Sequence, residues 1–266
     1  MLKDGLALSA DGIRMVYRDR STRQELVAIE QLDLDIPEAQ FVTIVGPSGC
    51  GKSTFAKIVN GLLPATHGTI EVRQAAHGRD HAMVFQDSSL FPWYSVLGNV
   101  AYGLVCQGVS KRDAQEQAMP LIRLVGLDGF EHKYPYQLSG GMQQRANLAR
   151  ALTVDPELLI MDEPFAALDA QTRELMQAEL LRIWATSSKT VLFITHQIDE
   201  AIFLSDRVIV MSARPGRIIA DIPIELPRPR ELGIKRTPRF VAYEEQIWNL
   251  ISIQLTKVGG RTVEAA

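Results

Sequence analysis

The sequence predicts an α/β fold with a mostly parallel core sheet, an N-terminal antiparallel β-region and an inserted helical subdomain. Three observations carry this expectation. Short apolar runs (Phe41 to Val45, Leu158 to Met161, Val191 to Ile194 and Val208 to Met211) alternate with stretches of helical spacing, the pattern of parallel strands covered on both faces. Ahead of them, Ile13, Met15 and Tyr17, then Leu32, Leu34 and Ile36, are spaced by two, the period of half-buried strands. From about Pro92 to Pro156 the pattern becomes mostly helical and interrupts the alternation.

The elements follow in order. Tyr17 closes the first period-two run, where its ring could stack on a flat base or simply cap a strand. Phe41 to Val45 leads into Gly46-Pro47-Ser48-Gly49-Cys50-Gly51-Lys52-Ser53-Thr54, and Phe55, Ile58, Val59 and Leu62 beyond it can share one helix face. Strand, glycine-rich turn and helix opening on Lys-Ser is the P-loop context. Triphosphate oxygens need backbone N–H groups at close range; glycines clear the approach, and the helix N-terminus adds unpaired donors and a positive dipole end. Lys52 supplies charge for the β- and γ-phosphates, and the Ser53 hydroxyl can sit on Mg²⁺.

Gly61 and Pro64 end that helix. Thr69 to Val72 and Ala82 to Phe85 read as strands, and Gln86 follows at a C-terminal strand end, where ligands collect in open α/β sheets. Leu97, Val100, Ala101 and Leu104 have helical spacing. Ser110 with Asp113 resembles a capping box opening a helix toward Val125, which Pro120 is expected to kink or divide. Further helices run roughly from Gly140 to Leu152, from Ala170 to roughly Ser187, and from Gln197 to Leu204. Past Arg214 the chain turns rich in Pro and Arg. Phe240, Tyr243, Ile247, Leu250 and Ile251 then predict a last amphipathic helix, with 256–266 as a frayed tail.

At 266 residues, 46% hydrophobic and 22% charged, the composition is that of an ordinary globular protein with a sizeable core. A net charge of −3 gives no bulk electrostatic reason to bind nucleic acid. No apolar run is long enough to cross a bilayer, and Met1 to Ala10 lacks a signal-peptide core. Two cysteines make no disulfide framework, which suits a reducing compartment. Cys50 could be activated by the helix N-terminus beside it or be a small residue tolerated there, and the second reading is favoured.

Two further groups carry chemistry. Asp162 and Glu163 end an apolar strand, where adjacent carboxylates are costly unless a cation or a reaction requires them. The natural division has Asp162 orienting Mg²⁺ and Glu163 polarising the attacking water. In Leu138-Ser139-Gly140-Gly141-Met142-Gln143-Gln144-Arg145 a serine and two glycines precede a helix, a second phosphate-suited arrangement.

Together these motifs resemble the ATP-binding subunit of ABC transporters over nearly the whole chain. The match runs through Walker A (Gly46 to Thr54), the glutamine loop at Gln86 and the signature Leu138 to Gln143. It continues through Walker B (Leu158 to Glu163), the D-loop Ala167-Leu168-Asp169 and the switch histidine His196. Phe91-Pro92-Trp93, Arg214-Pro215-Gly216-Arg217-Ile218 and Leu226-Pro227-Arg228-Pro229-Arg230 look like the nitrate/sulfonate/taurine importer branch.

The resemblance implies a single domain over 1–266. A RecA-like core takes 1–91 and 156–222, a helical signature subdomain 92–155, and a C-terminal extension 223–266. It implies ATP and Mg²⁺, with Tyr17 stacking on adenine, Gln86 sensing the metal and the lytic water, and His196 contacting the γ-phosphate and holding Glu163's water. Asp169 would shape a dimer interface. Ser139, Gly140 and Gly141 would bind the γ-phosphate of the other subunit's ATP, so that two head-to-tail copies sandwich two nucleotides. The implied partners are a second ATPase copy, transmembrane permease subunits and, indirectly, a solute-binding protein; no nucleic acid is implied. The implied place is the cytoplasmic face of the inner membrane, as a peripheral subunit.

Residues near Leu90, Phe91, Trp93 and Tyr94 are candidates for the groove that receives the permease, or for core of the helical subdomain. Ala39 stands where a glycine usually precedes the P-loop strand, Gln197 where an aspartate often follows the histidine, and Asn60 and Asn147 where small apolar residues are common. ABC ATPases acting on DNA or ribosomes carry long coiled coils or two cassettes, whereas only about 110 residues separate Lys52 from Asp162. A non-catalytic regulator is disfavoured by the presence of Lys52, Asp162, Glu163 and His196 together.

Overall fold

The computed structural model describes residues 2–18, 24–76, 79–86, 89–166, 168–187 and 189–259. In chain order its elements are β1 (Leu6–Arg18), β2 (Glu25–Pro37), β3 (Phe41–Val45), α1 (Lys52–Val59), β4 (His67–Val72), β5 (Arg79–Val84), α2 (Val96–Cys106), α3 (Lys111–Leu124), α4 (Gly140–Thr153), β6 (Pro156–Asp162), α5 (Ala170–Ser187), β7 (Thr190–Ile194), α6 (Ile198–Leu204), β8 (Arg207–Met211), β9 (Gly216–Pro223) and α7 (Pro238–Gly259). They divide into two compact units, Met1–Arg73 with Thr190–Ala266, and Gln74–Lys189.

The first unit is organised on strands in the order β4-β1-β2-β9-β8-β3-β7. β1 pairs antiparallel with β2 and with β4. β3 pairs parallel with β7 and β8, and every residue of β3 and β7 is buried, as the apolar runs require. β9 joins the two regions, parallel to β2 at Ile29↔Gly216 and antiparallel to β8. The sequence reading contains no strand there. Gly216, Ile218, Ala220 and Ile222 do alternate with the more exposed Arg217, Ile219, Asp221 and Pro223, but the flanking Pro and Arg obscure that period. Phe41, Phe55, Phe193, Phe203 and Phe240 are fully buried in this unit. α7 contributes Phe240, Ile247 and Ile251 and runs to Gly259, so 256–259 are helix rather than frayed tail; 260–266 lie outside the described residues.

Ala39 adopts φ 56° in the turn between β2 and β3, and its N–H donates to Thr190 Oγ1 at 3.0 Å. A Cβ in the left-handed region costs about 1–2 kcal/mol, partly offset by the greater unfolded-state freedom of glycine. Ala39→Gly is therefore expected to raise stability by up to about 1 kcal/mol, read as a higher urea midpoint at unchanged m-value.

In the second unit β5 and β6 pair parallel, in register from Arg79↔Pro156 to Val84↔Met161. α2, α3 and α4 pack on one another. Ser110 caps α3 by accepting from Asp113 N at 3.2 Å. Of the two outcomes expected at Pro120, kink or division, division does not occur: α3 runs unbroken from Lys111 to Leu124. The proline lies on the exposed side while Ala114, Ala118 and Ile122 anchor the opposite face, which outweighs one lost backbone bond.

Candidate functional site

In the first unit, β3 delivers the chain into the glycine-rich turn at the C-terminal end of the parallel strands. Gly49 has φ +73° and Gly51 φ +104°, and a Cβ on Gly51 would lie 2.9 Å from Ile29 Cγ1. Gly51 is also the N-cap of α1 and brings no side-chain cap, so the helix N-terminus keeps its donors for a ligand. Lys52 is 5% exposed and folds back over the turn, donating from Nζ to Gly46 O at 2.8 Å and Pro47 O at 3.1 Å. The Tyr17 hydroxyl lies 3.3 Å from Thr54 Oγ1 and the residue is 39% exposed, so an aromatic side chain stands beside the P-loop helix. His196 is exposed, two residues past β7, the strand directly beside β3. Unit one thus brings Tyr17, the segment Gly46 to Thr54 and His196 to one end of its sheet.

Cys50 is fully buried, and burial pushes its thiol pKa up despite the Lys52 charge beside it. That corrects the activated-thiol reading and supports the inert one: desolvation of a thiolate outweighs a nearby cation and helix end.

Sequence reasoning missed the support under this turn. Arg214 Nε donates to Gly49 O at 3.2 Å. Gly216 passes so close that a Cβ there would meet Cys50 O at 2.1 Å, while Ser212 Oγ donates to Pro215 O at 2.9 Å and accepts from Arg217 N at 3.0 Å. The Arg-Pro-Gly-Arg segment is thus a buttress for the P-loop, and its signal was the glycine itself.

In the second unit, Gln86 follows β5 and Asp162 ends the adjacent parallel β6, so both stand at one end of that strand pair. Asp162 is 5% exposed, and Glu163 beside it takes φ 47°, an uncommon conformation for a non-glycine residue and one that recurs at functional positions. Arg173 secures the loop that follows, donating to Phe165 O at 3.3 Å and Leu168 O at 2.7 Å. Asp169 then holds the first turn of α5, accepting from Thr172 N at 3.0 Å and Thr172 Oγ1 at 2.7 Å. The Thr172 N–H bond is the main cause lowering its carboxyl pKa. Ala167 of the same loop lies outside the described residues.

Ser139 is the N-cap of α4 and accepts from Met142 N at 3.3 Å. A Cβ on Gly140 would meet nothing within 4 Å, whereas one on Gly141 would touch Thr172 Cγ2 at 3.3 Å and Leu168 Cδ2 at 3.5 Å. Serine, an open glycine edge and Asp169 therefore share one surface of this unit. Asn60 is the C-cap of α1; Asn147 is buried, accepts from Arg150 through Oδ1 and leaves Nδ2 unpartnered.

The aromatic loop divides between the two readings given for it. Leu90 is buried core, while Trp93 is 66% and Tyr94 39% exposed. Phe91, Trp93, Tyr94 and Tyr102 form one cluster with neighbouring centroids 4.6 to 6.4 Å apart. Fully buried Asn99 pins it, donating to Phe91 O, Tyr94 O and Ser95 O at 3.0 to 3.1 Å and accepting from Phe91 N at 2.7 Å. Arg150 adds a bond to Ser89 O at 2.8 Å and stands 5.6 Å from the Phe91 centroid.

The donors assigned to Mg²⁺ (the Ser53 hydroxyl, the Gln86 amide oxygen and the Asp162 carboxylate) are hard oxygens of the kind that ion takes. Among the described residues no group of three or more His, Cys, Asp or Glu could hold a metal. Such an ion would lean on phosphate oxygens as well, as Mg²⁺ ordinarily does.

A family model described as ABC transporter matches residues 29–166. An uncharacterized ABC transporter ATP-binding protein of Methanocaldococcus jannaschii, MJ0412, is 48% identical over 255 residues, covering 94% of this chain and 93% of that one. The taurine import ATP-binding protein TauB of Rhizobium johnstonii is 48% identical over 228 residues, covering 83% and 87%. TauB of Escherichia coli is 40% identical over 228 residues, covering 83% and 89%. Among solved structures, a dimeric post-hydrolysis state of the ATP-binding cassette MJ0796 bound to ADP and Pi matches with a TM-score of 0.72 at 28% identity, covering 83% of this chain and all of that one.

Proposed function

The chain belongs to the ABC transporter family as an ATP-binding ATPase, and from that premise we propose that it powers import of a small solute of the nitrate, sulfonate or taurine class. The observation that carries the import reading is the likeness to taurine import ATP-binding proteins at 40–48% identity over 83% of the chain.

In this reading Tyr17 stacks on adenine, and the N–H groups from Gly46 to Thr54 surround the phosphates. Lys52 exchanges its bonds to Gly46 O and Pro47 O for β- and γ-phosphate oxygens. Glu163 takes the proton of the attacking water, and His196 holds that water and the γ-phosphate in line. Ser53, Gln86 and Asp162 would hold Mg²⁺, which when bound would supply charge neutralisation at the phosphates. A second copy offers Ser139, Gly140 and Gly141 to the same γ-phosphate, with Asp169 at the shared face. ATP then closes a head-to-tail dimer and hydrolysis releases it, as in other γ-phosphate switches.

The motion leaves through the exposed Trp93 and Tyr94, which in this reading meet a transmembrane permease fed by a solute-binding protein. The chain is accordingly placed at the cytoplasmic face of the inner membrane as a peripheral subunit. Among the described residues no helix is long and apolar enough to cross a membrane itself.

The test is purification of the tagged chain from detergent-solubilised membranes of its own organism. An integral membrane protein is expected at stoichiometric yield, and ATP turnover of that complex should rise with a taurine- or nitrate-loaded binding protein. Recovery with nucleic acid, and no membrane protein, would overturn the transport reading.

A further inference from the structure

The segment that follows β9 grips α6 at both ends, entirely within the first unit. At the C-terminal end Arg230 is 6% exposed. Its Nη1 donates to Ile202 O and Phe203 O at 3.0 Å and to Ser205 O at 2.7 Å, and its Nη2 to Ile224 O at 3.3 Å and Leu226 O at 3.4 Å. A cation here meets both the open carbonyls and the negative dipole end of the helix. Burial, with Arg228 adding to it, pushes the Arg230 pKa down to about 10, so it stays charged at neutral pH. Arg228 adds bonds to Leu204 O at 2.8 Å and Asp206 Oδ1 at 2.7 Å.

At the other end Lys235 Nζ bonds Asp199 Oδ2 at 3.0 Å in the first turn of α6 and stands 5.2 Å from the Phe203 centroid. α7 packs against the same helix. Its Glu244 faces Asp199 and Lys235, and its carboxyl pKa is raised, by burial first and by Asp199 second.

This grip bears on His196. Residues 195–197 alone connect β7 to α6. β7 is locked into the sheet by β3, and Thr195 Oγ1 already accepts from Gln197 N at 3.0 Å. The histidine therefore sits in a three-residue connection whose downstream anchor is only as firm as α6. A helix of seven residues has little stability of its own and takes its position from what holds it.

We infer that the C-terminal segment from Leu226 to Glu244 is a brace that sets the position of His196 through α6, with Lys235 and Arg230 as positioning residues. This rests on the reading of His196 as the γ-phosphate contact. It gives the Pro/Arg-rich segment a part in ATP turnover rather than in covering the sheet alone.

Lys235→Ala tests it in the full chain. The turnover constant kcat is expected to fall about threefold or more with KM for ATP within about twofold, because the lost positioning is felt in the transition state. Lys235→Arg should restore the rate. On a His196→Ala background the same change should do nothing further, since the two residues act as one unit. Amide exchange over 196–204 should quicken roughly tenfold in Lys235→Ala, as local opening becomes easier. Asp199→Asn cuts the same bond from the other side and serves if Lys235→Ala does not fold. Wild-type exchange over 196–204 would overturn the brace, as would an equal fall in kcat with and without His196. A wild-type chain that hydrolyses no ATP would defeat the reading of His196 instead, and the exchange measurement would still decide whether the segment holds α6.

Discussion

Glu163→Gln is expected to lower ATP turnover by about two to four orders of magnitude while leaving ATP binding intact, the range that loss of a general base spans. The substitution is nearly isosteric. Glutamine accepts the φ of 47° at this position as well or as poorly as glutamate does, so the backbone following Asp162 should not move. What disappears is the acceptor for the proton of water. The phosphate contacts assigned to Lys52 and Ser139 remain, so the variant should accumulate as an ATP-bound dimer on size-exclusion chromatography where the wild type is monomeric after turnover. Glu163→Gly separates base from strain: it removes the Cβ from a left-handed position and should lose the same rate with no loss of stability. Wild-type turnover in either variant would remove Glu163 from the mechanism.

Where the sequence was legible, the signal was local. β3 and β7 announce themselves because both faces are buried, and Gly46 to Thr54 and Asp162-Glu163 stand out as candidates because phosphate chemistry would demand those residue types at neighbouring positions. The helix expected from Ala170 to roughly Ser187 is α5. What escaped depends on parts distant in the chain. β9 owes its existence to partners on both sides, β2 and β8, so its own weak alternation could not carry it. Gly216 matters because Cys50 O is its neighbour, a contact that spans more than a hundred residues. The aromatic loop stayed ambiguous since exposure of Trp93 is decided by how Asn99 and Arg150 tie it down. Cys50 could not be settled from a helix N-terminus alone, because the competing desolvation comes from its complete burial in the folded chain. Pro120 shows the same competition in reverse, with three buried side chains on one face overriding a local breaker.

Lys52→Ala is expected to weaken ATP binding by about ten- to a hundredfold, since a charge-assisted bond is worth about 1.5–3 kcal/mol and each 1.4 kcal/mol is tenfold. The expected gain follows from the surroundings of Lys52. Lys52 is already desolvated, 5% exposed, and spends its donors on two carbonyls of its own turn, Gly46 O and Pro47 O. Replacing those neutral acceptors by anionic phosphate oxygens gains electrostatic energy without a new desolvation cost for the lysine. The same arithmetic limits the effect on folding. Deleting the side chain leaves two carbonyls short of a donor but also removes the desolvation cost of a buried cation, so the thermal midpoint should shift little. Affinity and stability therefore separate in this variant. Calorimetric titration should show weaker ATP binding, and a larger loss for ATP than for ADP, because the lysine reaches both the β- and γ-phosphates. Turnover should fall below detection at ATP concentrations that saturate the wild type. An unchanged ATP affinity alongside an unchanged midpoint would mean that the glycine-rich turn is not where the nucleotide is held, and the roles given to Ser53, Glu163 and His196 would fall with it.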